Sequence, residues 1–471
     1  MTGAEAGAAK EGAIAHLKRA MGFRDLVLFY LVTGFSIRFI SSAAAAGPSS
    51  VVIWIIGALA FYVPLMFTVL ELSSRHPDEG GLYAWTRRAF GEFPGYLSGY
   101  LYWCSNLPYF PSLFYFTAAN ALYIFGHHFE HLQHSQSYFI IFSMIALAIA
   151  SGLNVVGLNI GKWLHNLGAI GLWVPGIVLV GMGIASAMLY GSATSFTAHS
   201  FIPSTHLKDI IFWSTVAFSL SGLESASMLG DEIENARRNI PRALLISGVL
   251  VTILYVAATV ALLLAMPASE IQTMQGIMRA ITLVATKLGI PWIGAGVALL
   301  ITVGCIGQGG AWFAAAGRLP FVIGIDKRLP PAFAKIHPKW GSPYVALLVQ
   351  AAIAAVFVFA GQAGTSVEGA YNVLVSMAVI AFFIPYLFMF AALIKLQREP
   401  AGPEVMRVPG GKPVAIALAV VGFTTTAIAI GLAMLPAEDE PNKPLAVIKI
   451  VGLSAATIVL GIGLYVIGGR K

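Results

Sequence analysis

Charged side chains are scarce in this chain. Asp, Glu, Lys and Arg together make up 10% of the 471 residues, whereas hydrophobic residues make up 58%. Soluble globular proteins carry about a quarter of their residues as charged groups, so this composition excludes a soluble protein. Apolar stretches of about 20 residues, the length that a helix needs to cross the hydrocarbon of a bilayer, recur along the sequence. The chain is therefore predicted to be an all-α integral membrane protein.

Cysteine is almost absent as well. Cys104 and Cys305 both fall inside apolar stretches, so no disulfide framework is implied and buried thiols are expected. The sequence also lacks a nucleophile paired with a base, a set of metal ligands and a phosphate-binding loop, so we expect no enzyme, no metal and no cofactor. The net charge of +7 follows from loop topology and does not indicate nucleic-acid binding. Nothing in the sequence indicates an oligomeric state.

Hydropathy predicts twelve transmembrane helices, at approximately residues 24–46, 50–73, 95–125, 138–157, 165–189, 209–231, 243–266, 290–317, 343–361, 370–395, 412–435 and 446–468. The segment before the first span, residues 1–22, is predicted to be a cytoplasmic tail, because the apolar segment that follows is too long for a signal peptide and lacks a cleavage site. With that tail inside, the predicted cytoplasmic segments and the span ends that border them carry 22 of the 28 Lys and Arg residues. We therefore expect both termini in the cytoplasm and place the chain in a bacterial inner membrane.

Two of the predicted spans are interrupted near their middle by small residues. The first contains Thr33-Gly34-Phe35-Ser36-Ile37, and the sixth contains Phe218-Ser219-Leu-Ser221-Gly222-Leu-Glu224. Small residues let a helix open, and the freed backbone groups are tolerated at membrane depth only beside a cavity or a solute site. Two such breaks five helices apart predict an inverted repeat with a solute site between them. Half-helix N-termini at the breaks favour an anionic group such as a carboxylate.

Three further motifs follow one another along the chain, and they read Pro77-Asp-Glu-Gly80-Gly81-Leu-Tyr83, Glu232-Ile-Glu234-Asn-Ala-Arg237-Arg238-Asn-Ile-Pro241-Arg242 and Gly324-Ile-Asp326-Lys-Arg-Leu329-Pro330. Together with the breaks, they resemble the amino acid-polyamine-organocation (APC) superfamily of transporters over roughly residues 20–435. The resemblance implies the leucine-transporter-like 5+5 inverted repeat with broken first and sixth helices, plus two extra helices. The transport core would then be residues 23–395, with repeat one at about 24–189 and repeat two at about 209–395. Residues 396–471 would form the two additional helices and a short tail.

Several stretches resemble the arginine/agmatine antiporter branch of that superfamily. Residues 93–103 match its third helix and place Tyr102 at a site tyrosine, and residues 310–317 match its eighth helix and place Trp312 at a tryptophan that packs on substrate. Phe218 falls where the branch has a gating tryptophan, and Glu224 falls at its glutamate. Each of these rings taken alone is more typical of packing than of a gate, so the resemblance carries the prediction that they occlude a substrate.

The chain departs from the superfamily pattern in two places. Its first break has one glycine fewer, which puts close contact between the backbone and a substrate carboxylate in doubt. Proton-coupled members often carry a lysine in the fifth helix, and an ungapped match places Gly171 there. In addition, Ala44-Ala-Ala-Gly47-Pro48 resembles the eukaryotic-type polyamine transporters, so a polyamine substrate stays open.

Two sets of charged residues each have more than one possible role. Arg38 lies about 14 residues into the first span, where an arginine must face a cavity or pair with a carboxylate. It either receives a substrate carboxylate in its planar fork, pairs with Glu224, or extends into an outer vestibule, and in each case it disfavours a dicationic substrate. At the cytoplasmic side, topology explains Arg237 and Arg238, because basic residues collect at cytoplasmic helix ends. The alternative is an ion network of Glu232 and Glu234 with Arg237, Arg238 and Arg242.

The sequence thus predicts a secondary transporter that moves amino acids by alternating access, through exchange or proton coupling. The predicted substrate-binding residues are Thr33, Gly34, Phe35, Ser36, Ile37, Tyr102, Phe218, Ser219, Ser221, Gly222 and Trp312, and the predicted coupling or charge-sensing residues are Glu224 and Arg38. The expected partners are an amino acid or polyamine, protons as a candidate co-substrate, and the lipid bilayer. The alternatives are a polyamine or organic-cation carrier of the same superfamily and an amino acid receptor that does not transport.

Overall fold

The computed structural model of the chain describes residues 21–77, 80–203, 207–325, 329–362, 366–436 and 443–468. Most of the predicted cytoplasmic tail lies outside these ranges, as do residues 78–79 of the first motif, residues 326–328 of the third and the C-terminal residues 469–471. Within the described residues, the structure is helical apart from loops and one isolated bridge between Met21 and Ile233. The prediction of an all-α protein is confirmed.

The helices, numbered here in chain order, are α1 Phe23–Gly34, α2 Arg38–Ala44, α3 Ser49–Gly57, α4 Val63–Arg75, α5 Leu82–Phe90, α6 Glu92–Ala121, α7 Gln136–Val155, α8 Leu158–Tyr190, α9 Leu207–Ser219, α10 Ala236–Ala265, α11 Gly276–Lys287, α12 Trp292–Ile325, α13 Tyr344–Gln362, α14 Val367–Leu396, α15 Gly411–Ala433, α16 Lys443–Val447 and α17 Leu453–Gly468. Two π-helical turns, Ala58–Tyr62 and Ile448–Gly452, join α3 to α4 and α16 to α17. The 3-10 segments are Leu122–His134, His199–Phe201, Ser225–Glu232, Ala268–Glu270 and Pro331–Ala334.

Nine helices of the described ranges are long and apolar enough to cross a membrane, and α1 with α2, bent by 42° at their junction, makes a tenth. The other two predicted spans, the third and the sixth, correspond to α6 and to α9 followed by Ser225–Glu232. α6 has 30 residues, enough for about 45 Å of helix, but its many Tyr, Ser and Asn side chains lower its hydropathy. The architecture agrees with a leucine-transporter-like membrane fold, and the two repeat boundaries remain a prediction.

Glycine contacts hold α12 close to α8. A Cβ added to Gly171 of α8 would lie 2.6 Å from the carbonyl oxygen of Leu300, and one added to Gly168 would lie 2.8 Å from the Gly307 backbone. The backbones of α8 and α12 are therefore in direct contact, as small residues allow between membrane helices. Position 171 therefore has no room for a side chain while α8 and α12 keep this contact.

Candidate functional site

The two helix breaks lie against each other in the interior. The first break, residues 35–37, separates α1 from α2, and the second break, residues 220–224, separates α9 from the 3-10 segment Ser225–Glu232. Gly222 has φ +100°, a backbone conformation that favours glycine, and a Cβ there would lie 2.8 Å from the carbonyl oxygen of Thr33. The Ser225 hydroxyl donates to Thr33 Oγ1 at 3.1 Å. Glycine at position 222 thus permits the contact between the breaks.

Two side chains satisfy the backbone groups that the first break leaves without helical partners. Gln308 of α12 donates from Nε2 to the carbonyl oxygens of Val32 and Phe35, both at 2.7 Å. Tyr255 of α10 accepts from the Ser36 N–H at 2.8 Å and donates to the carbonyl oxygen of Ser219 at 3.1 Å. Unpaired backbone groups are costly at membrane depth, so these bonds stabilise the open helix, and Tyr255 links the two breaks.

Glu224 is fully buried directly after the second break. Its carboxyl group accepts from the Tyr102 hydroxyl of α6 and, at 3.2 Å, from the N–H of Gly222. The Gly222 N–H also points to the hydroxyl of Tyr386 on α14, at 3.3 Å. A change in the protonation of Glu224 would alter its capacity to accept these hydrogen bonds. It would therefore change the contacts of Glu224 with α6 and with the second break.

A small cavity lies beside both breaks. Its volume, measured as the space that the centre of a water molecule can occupy, is about 20 Å³. Its lining residues are Thr33, Ser36, Phe39, Ser105, Asn106, Tyr109, Phe218, Ser219, Ser221, Trp312 and Phe382. Rings in its wall touch one another, with Phe382 5.4 Å from Phe218 and 5.7 Å from Trp312 between ring centroids. This volume holds about one water molecule, so the wall must open before a solute as large as an amino acid can enter.

The structure gives the predicted site residues different positions. Six of them line the cavity: Thr33, Ser36, Phe218, Ser219, Ser221 and Trp312. The breaks contain Phe35, Ile37 and Gly222 behind that lining, and Gly34 is the last residue of α1. Tyr102 stands behind Trp312, at 6.5 Å between ring centroids, and its hydroxyl binds Glu224. Tyr102 is thus placed to hold Glu224 and to support the wall from behind.

Sequence reasoning missed several side chains of the site, namely Phe39, Ser105, Tyr255, Phe382 and Tyr386. A tyrosine hydroxyl inside an apolar helix, as in Tyr255 and Tyr386, is a signal that could have found two of them, since such a group needs a partner. Phe382 lies in a helix rich in aromatic residues, so its sequence context does not distinguish it from its neighbours.

Arg38, the first residue of α2, is completely buried. Its Nη1 donates to the Ser112 hydroxyl of α6 at 3.0 Å. Its Cζ lies 4.6 Å from the ring centroid of Phe39 and 4.7 Å from that of Tyr109, two rings of the cavity wall. No described acidic residue forms an ion pair with it, so the alternative pairing with Glu224 is wrong, and full burial also excludes a vestibule position.

The ion pairs at the opposite end of the second break also differ from the prediction. Glu232 pairs with Arg318 of α12, with Nε to Oε1 at 2.8 Å and Nη2 to Oε2 at 3.2 Å, and both side chains are buried. Arg237 binds Glu404 instead of Glu232. The alternative of an ion network within the second motif is therefore wrong in its partners. The Met21 N–H donates to the carbonyl oxygen of Glu232 at 3.2 Å, so we call Met21, Glu232 and Arg318 the inner closure.

Within the described part of the chain, no group of three His, Cys, Asp or Glu side chains could hold a metal ion. The arrangement instead combines two opened helices, a closed aromatic cavity, a buried carboxyl group and a buried guanidinium. These elements can bind a small polar solute and enclose it.

Comparisons with known proteins fit this geometry. The chain is 27% identical over 431 residues to an uncharacterized transporter of Legionella pneumophila, covering 91% of this chain and 92% of that protein. It is 24% identical over 371 residues to the probable agmatine/putrescine antiporter AguD of Lactococcus lactis, covering 78% of each chain. Over 359 residues it is 25% identical to the serine/threonine exchanger SteT of Bacillus subtilis, covering 74% of this chain and 76% of that protein. The family model described as amino acid permease matches residues 26–456, and the chain therefore belongs to the amino acid permease family of the APC superfamily.

Proposed function

We propose that this protein is a secondary active transporter of amino acids that works by alternating access. The observation that carries the proposal is the cavity at the contact between two broken helices. Aromatic rings line this cavity, and its volume is about 20 Å³. Broken helices that meet at a central site are the usual solute site of transporters with inverted repeats. Family membership and relatives named as an exchanger and an antiporter support the transport of amino acids or amines.

Substrate recognition is assigned to the two breaks. Residues 33–37 and 219–223 supply backbone groups and hydroxyls to the α-carboxylate and α-amine. Thr33, Ser36, Ser219 and Ser221 already line the cavity, which supports this assignment. Phe218 and Trp312 enclose the bound substrate, with Tyr102 as the support behind Trp312.

Coupling is assigned to Glu224. Its bonds to Tyr102 and to Gly222 connect one titratable group to α6 and to the second break. Gain or loss of a proton changes the number of hydrogen bonds that a carboxyl group can accept and so shifts the balance between closed and open conformations. The protein then works as an exchanger or as a proton-coupled symporter.

Orientation follows from the distribution of basic residues. We infer that the protein lies in the cell (inner) membrane with both termini in the cytoplasm, because basic residues accumulate on the cytoplasmic side of membrane proteins. The inner closure then separates the cavity from the cytoplasm. Cysteine labelling of single-cysteine variants in intact cells, at the N-terminus and in the loop before α11, tests this orientation.

Uptake into proteoliposomes tests the function. Vesicles preloaded with buffer alone or with mixed amino acids receive labelled neutral, acidic or basic amino acids or putrescine, at two external pH values. Uptake only with internal amino acid identifies an exchanger, and uptake driven by an inward proton gradient without preload identifies a symporter. Putrescine uptake that amino acids do not inhibit would favour the polyamine carrier, which the name of the Lactococcus relative brings into consideration. Binding without any transport would favour the receptor.

A further inference from the structure

Arg38 carries a positive charge that the described protein leaves uncompensated. The side chain has no exposed surface. Nη1 donates to the Ser112 hydroxyl at 3.0 Å, and the Tyr371 side chain is a second polar neighbour of the guanidinium. Nε and Nη2 are buried and form no hydrogen bond within 3.5 Å to a described residue, and neither neighbour carries a negative charge that would pair with the guanidinium. A buried charge normally pairs with an opposite charge, because desolvation otherwise disfavours burial strongly. The two ring contacts, at 4.6 and 4.7 Å, satisfy the guanidinium only in part.

The location of this charge connects it to the cavity. Arg38 directly follows the first break, and the two rings that contact its guanidinium, Phe39 and Tyr109, both line the cavity wall. A movement of either ring as the wall opens would expose Nε and Nη2 to a solute. Nε and one terminal nitrogen form the edge of guanidinium that binds a carboxylate with two parallel hydrogen bonds.

The second break presents the opposite chemistry. Glu224 lies there, fully buried, with its carboxyl group bound to Tyr102 and to the Gly222 N–H. A fixed cation beside the first break and a carboxyl group beside the second match a solute with a carboxylate and an amine. They do not match a diamine, whose second ammonium would meet an unneutralised guanidinium.

We propose that Arg38 binds a carboxylate of the transported solute, so that the substrates are amino acids and carboxylate-free diamines are excluded. This inference rests on the proposed function, because it assigns a recognition role within the same site. The carboxylate is either the α-carboxylate or a side-chain carboxylate, which have the same chemistry, and the experiment distinguishes them.

Four related compounds serve as probes. Glutamate has both carboxylates, glutamine only the α-carboxylate, 4-aminobutyrate only the one that corresponds to the side chain, and putrescine none. Binding to purified protein is measured by ligand-induced thermal shift, and transport by uptake into proteoliposomes. The variants are Arg38→Gln and Arg38→Lys, with Arg88→Gln as the matched control, because Arg88 is half-exposed and pairs with Glu399 outside the site.

We expect Arg38→Gln to weaken the carboxylate compounds that bind wild type by at least about 10-fold, as loss of a charge-assisted pair does, and to leave putrescine unchanged or improved. Arg38→Lys keeps the charge and loses the fork, so it should fall between wild type and Arg38→Gln. Weaker binding of both glutamate and glutamine assigns the α-carboxylate. Weaker binding of glutamate and 4-aminobutyrate, with glutamine unaffected, assigns the side-chain carboxylate.

Stability without ligand separates this role from a structural one. Because the charge is uncompensated, Arg38→Gln should unfold at the same temperature as wild type or higher. A lower unfolding temperature together with a preserved thermal shift by glutamate or glutamine would overturn the inference. An equal change for putrescine and the carboxylates, or no binding of any carboxylate compound by wild type at millimolar concentration, would overturn it too. If wild type shows no transport while carboxylate compounds still stabilise it through Arg38, the transport function fails and carboxylate binding by Arg38 stands.

Discussion

Replacing Gly222 by alanine should break the contact between the two helix breaks. Gly222 has φ +100°, and the new Cβ would lie 2.8 Å from the Thr33 carbonyl oxygen and 2.9 Å from the Trp312 ring. The positive φ costs about 1–3 kcal/mol for a residue with a side chain, and overpacking of a closed wall costs about 1–3 kcal/mol more. Gly222→Ala should therefore lose about 2–6 kcal/mol of stability and lose substrate binding with it.

Three other glycines separate the two penalties. Gly191 has φ +81° with nothing within 4 Å of an added Cβ, so alanine there tests the backbone alone. Gly183 has no positive φ, but its Cβ would lie 2.3 Å from the Ala261 carbonyl oxygen, so alanine there tests close contact away from the cavity. Gly181 has neither feature, and alanine should be neutral or raise stability by up to about 1 kcal/mol through helix propensity.

Thermal unfolding of the purified proteins and proteoliposome uptake provide the two measurements. Gly222→Ala should unfold at a lower temperature than Gly191→Ala, because it adds a steric penalty to the same backbone penalty. It should also be the variant that loses uptake beyond what its stability explains, since Gly183→Ala weakens the contact of α8 with α10 and leaves the breaks intact. If Gly222→Ala unfolded at the same temperature as Gly181→Ala and transported with wild-type affinity, the contact between the breaks would not be required for stability or transport.

Three further predictions concern the closure, the wall and the coupling group. Arg318→Met leaves Glu232 buried without its partner and should cost about 3–5 kcal/mol, whereas the double variant with Glu232→Gln should recover most of it in thermal unfolding; equal losses would contradict a buried pair. Trp312→Ala removes part of the cavity wall and should raise KM for uptake at least about 10-fold, the size of 1.4 kcal/mol, with Trp312→Phe closer to wild type; an unchanged KM would remove Trp312 from the site. Glu224→Gln retains an acceptor but cannot exchange a proton, so homoexchange should persist and its pH dependence disappear; a retained pH profile would place coupling elsewhere.

The positions of the breaks could be predicted from the sequence because they depend on local residue types. Gly34 and Gly222, flanked by Ser and Thr inside apolar spans, weaken the helix wherever the surroundings offer alternative partners. Which side chains reach the first break as those partners could not be predicted. Gln308 and Tyr255 approach the first break from α12 and α10, and only the packing of these helices brings them there.

Arg318 shows a second limit of hydropathy. The sequence pattern places it in a cytoplasmic loop, directly after a predicted span ending at residue 317, because a charged residue normally marks the end of an apolar stretch. In the structure α12 continues to Ile325, and Arg318 is buried against Glu232. A hydropathy scale assigns a value to each residue separately and contains no information on a partner 86 positions away. It therefore predicts two loop residues where the structure has a buried ion pair.

The hydrogen bonds at the first break also decide which groups are left to recognise a substrate. Gln308 already occupies the carbonyl oxygens of Val32 and Phe35, and Tyr255 already occupies the Ser36 N–H. A substrate that used these backbone groups would have to displace side chains that stabilise the open helix, so their net contribution to affinity is small. Nε and Nη2 of Arg38 form no hydrogen bond within 3.5 Å to a described residue, so a substrate carboxylate would displace at most the contact with the neighbouring Tyr371 side chain. Beside the hydroxyls and the second-break groups that line the cavity, Arg38 would therefore supply the charged part of carboxylate recognition, and the substrate range should depend on Arg38 more than on the backbone groups of the first break.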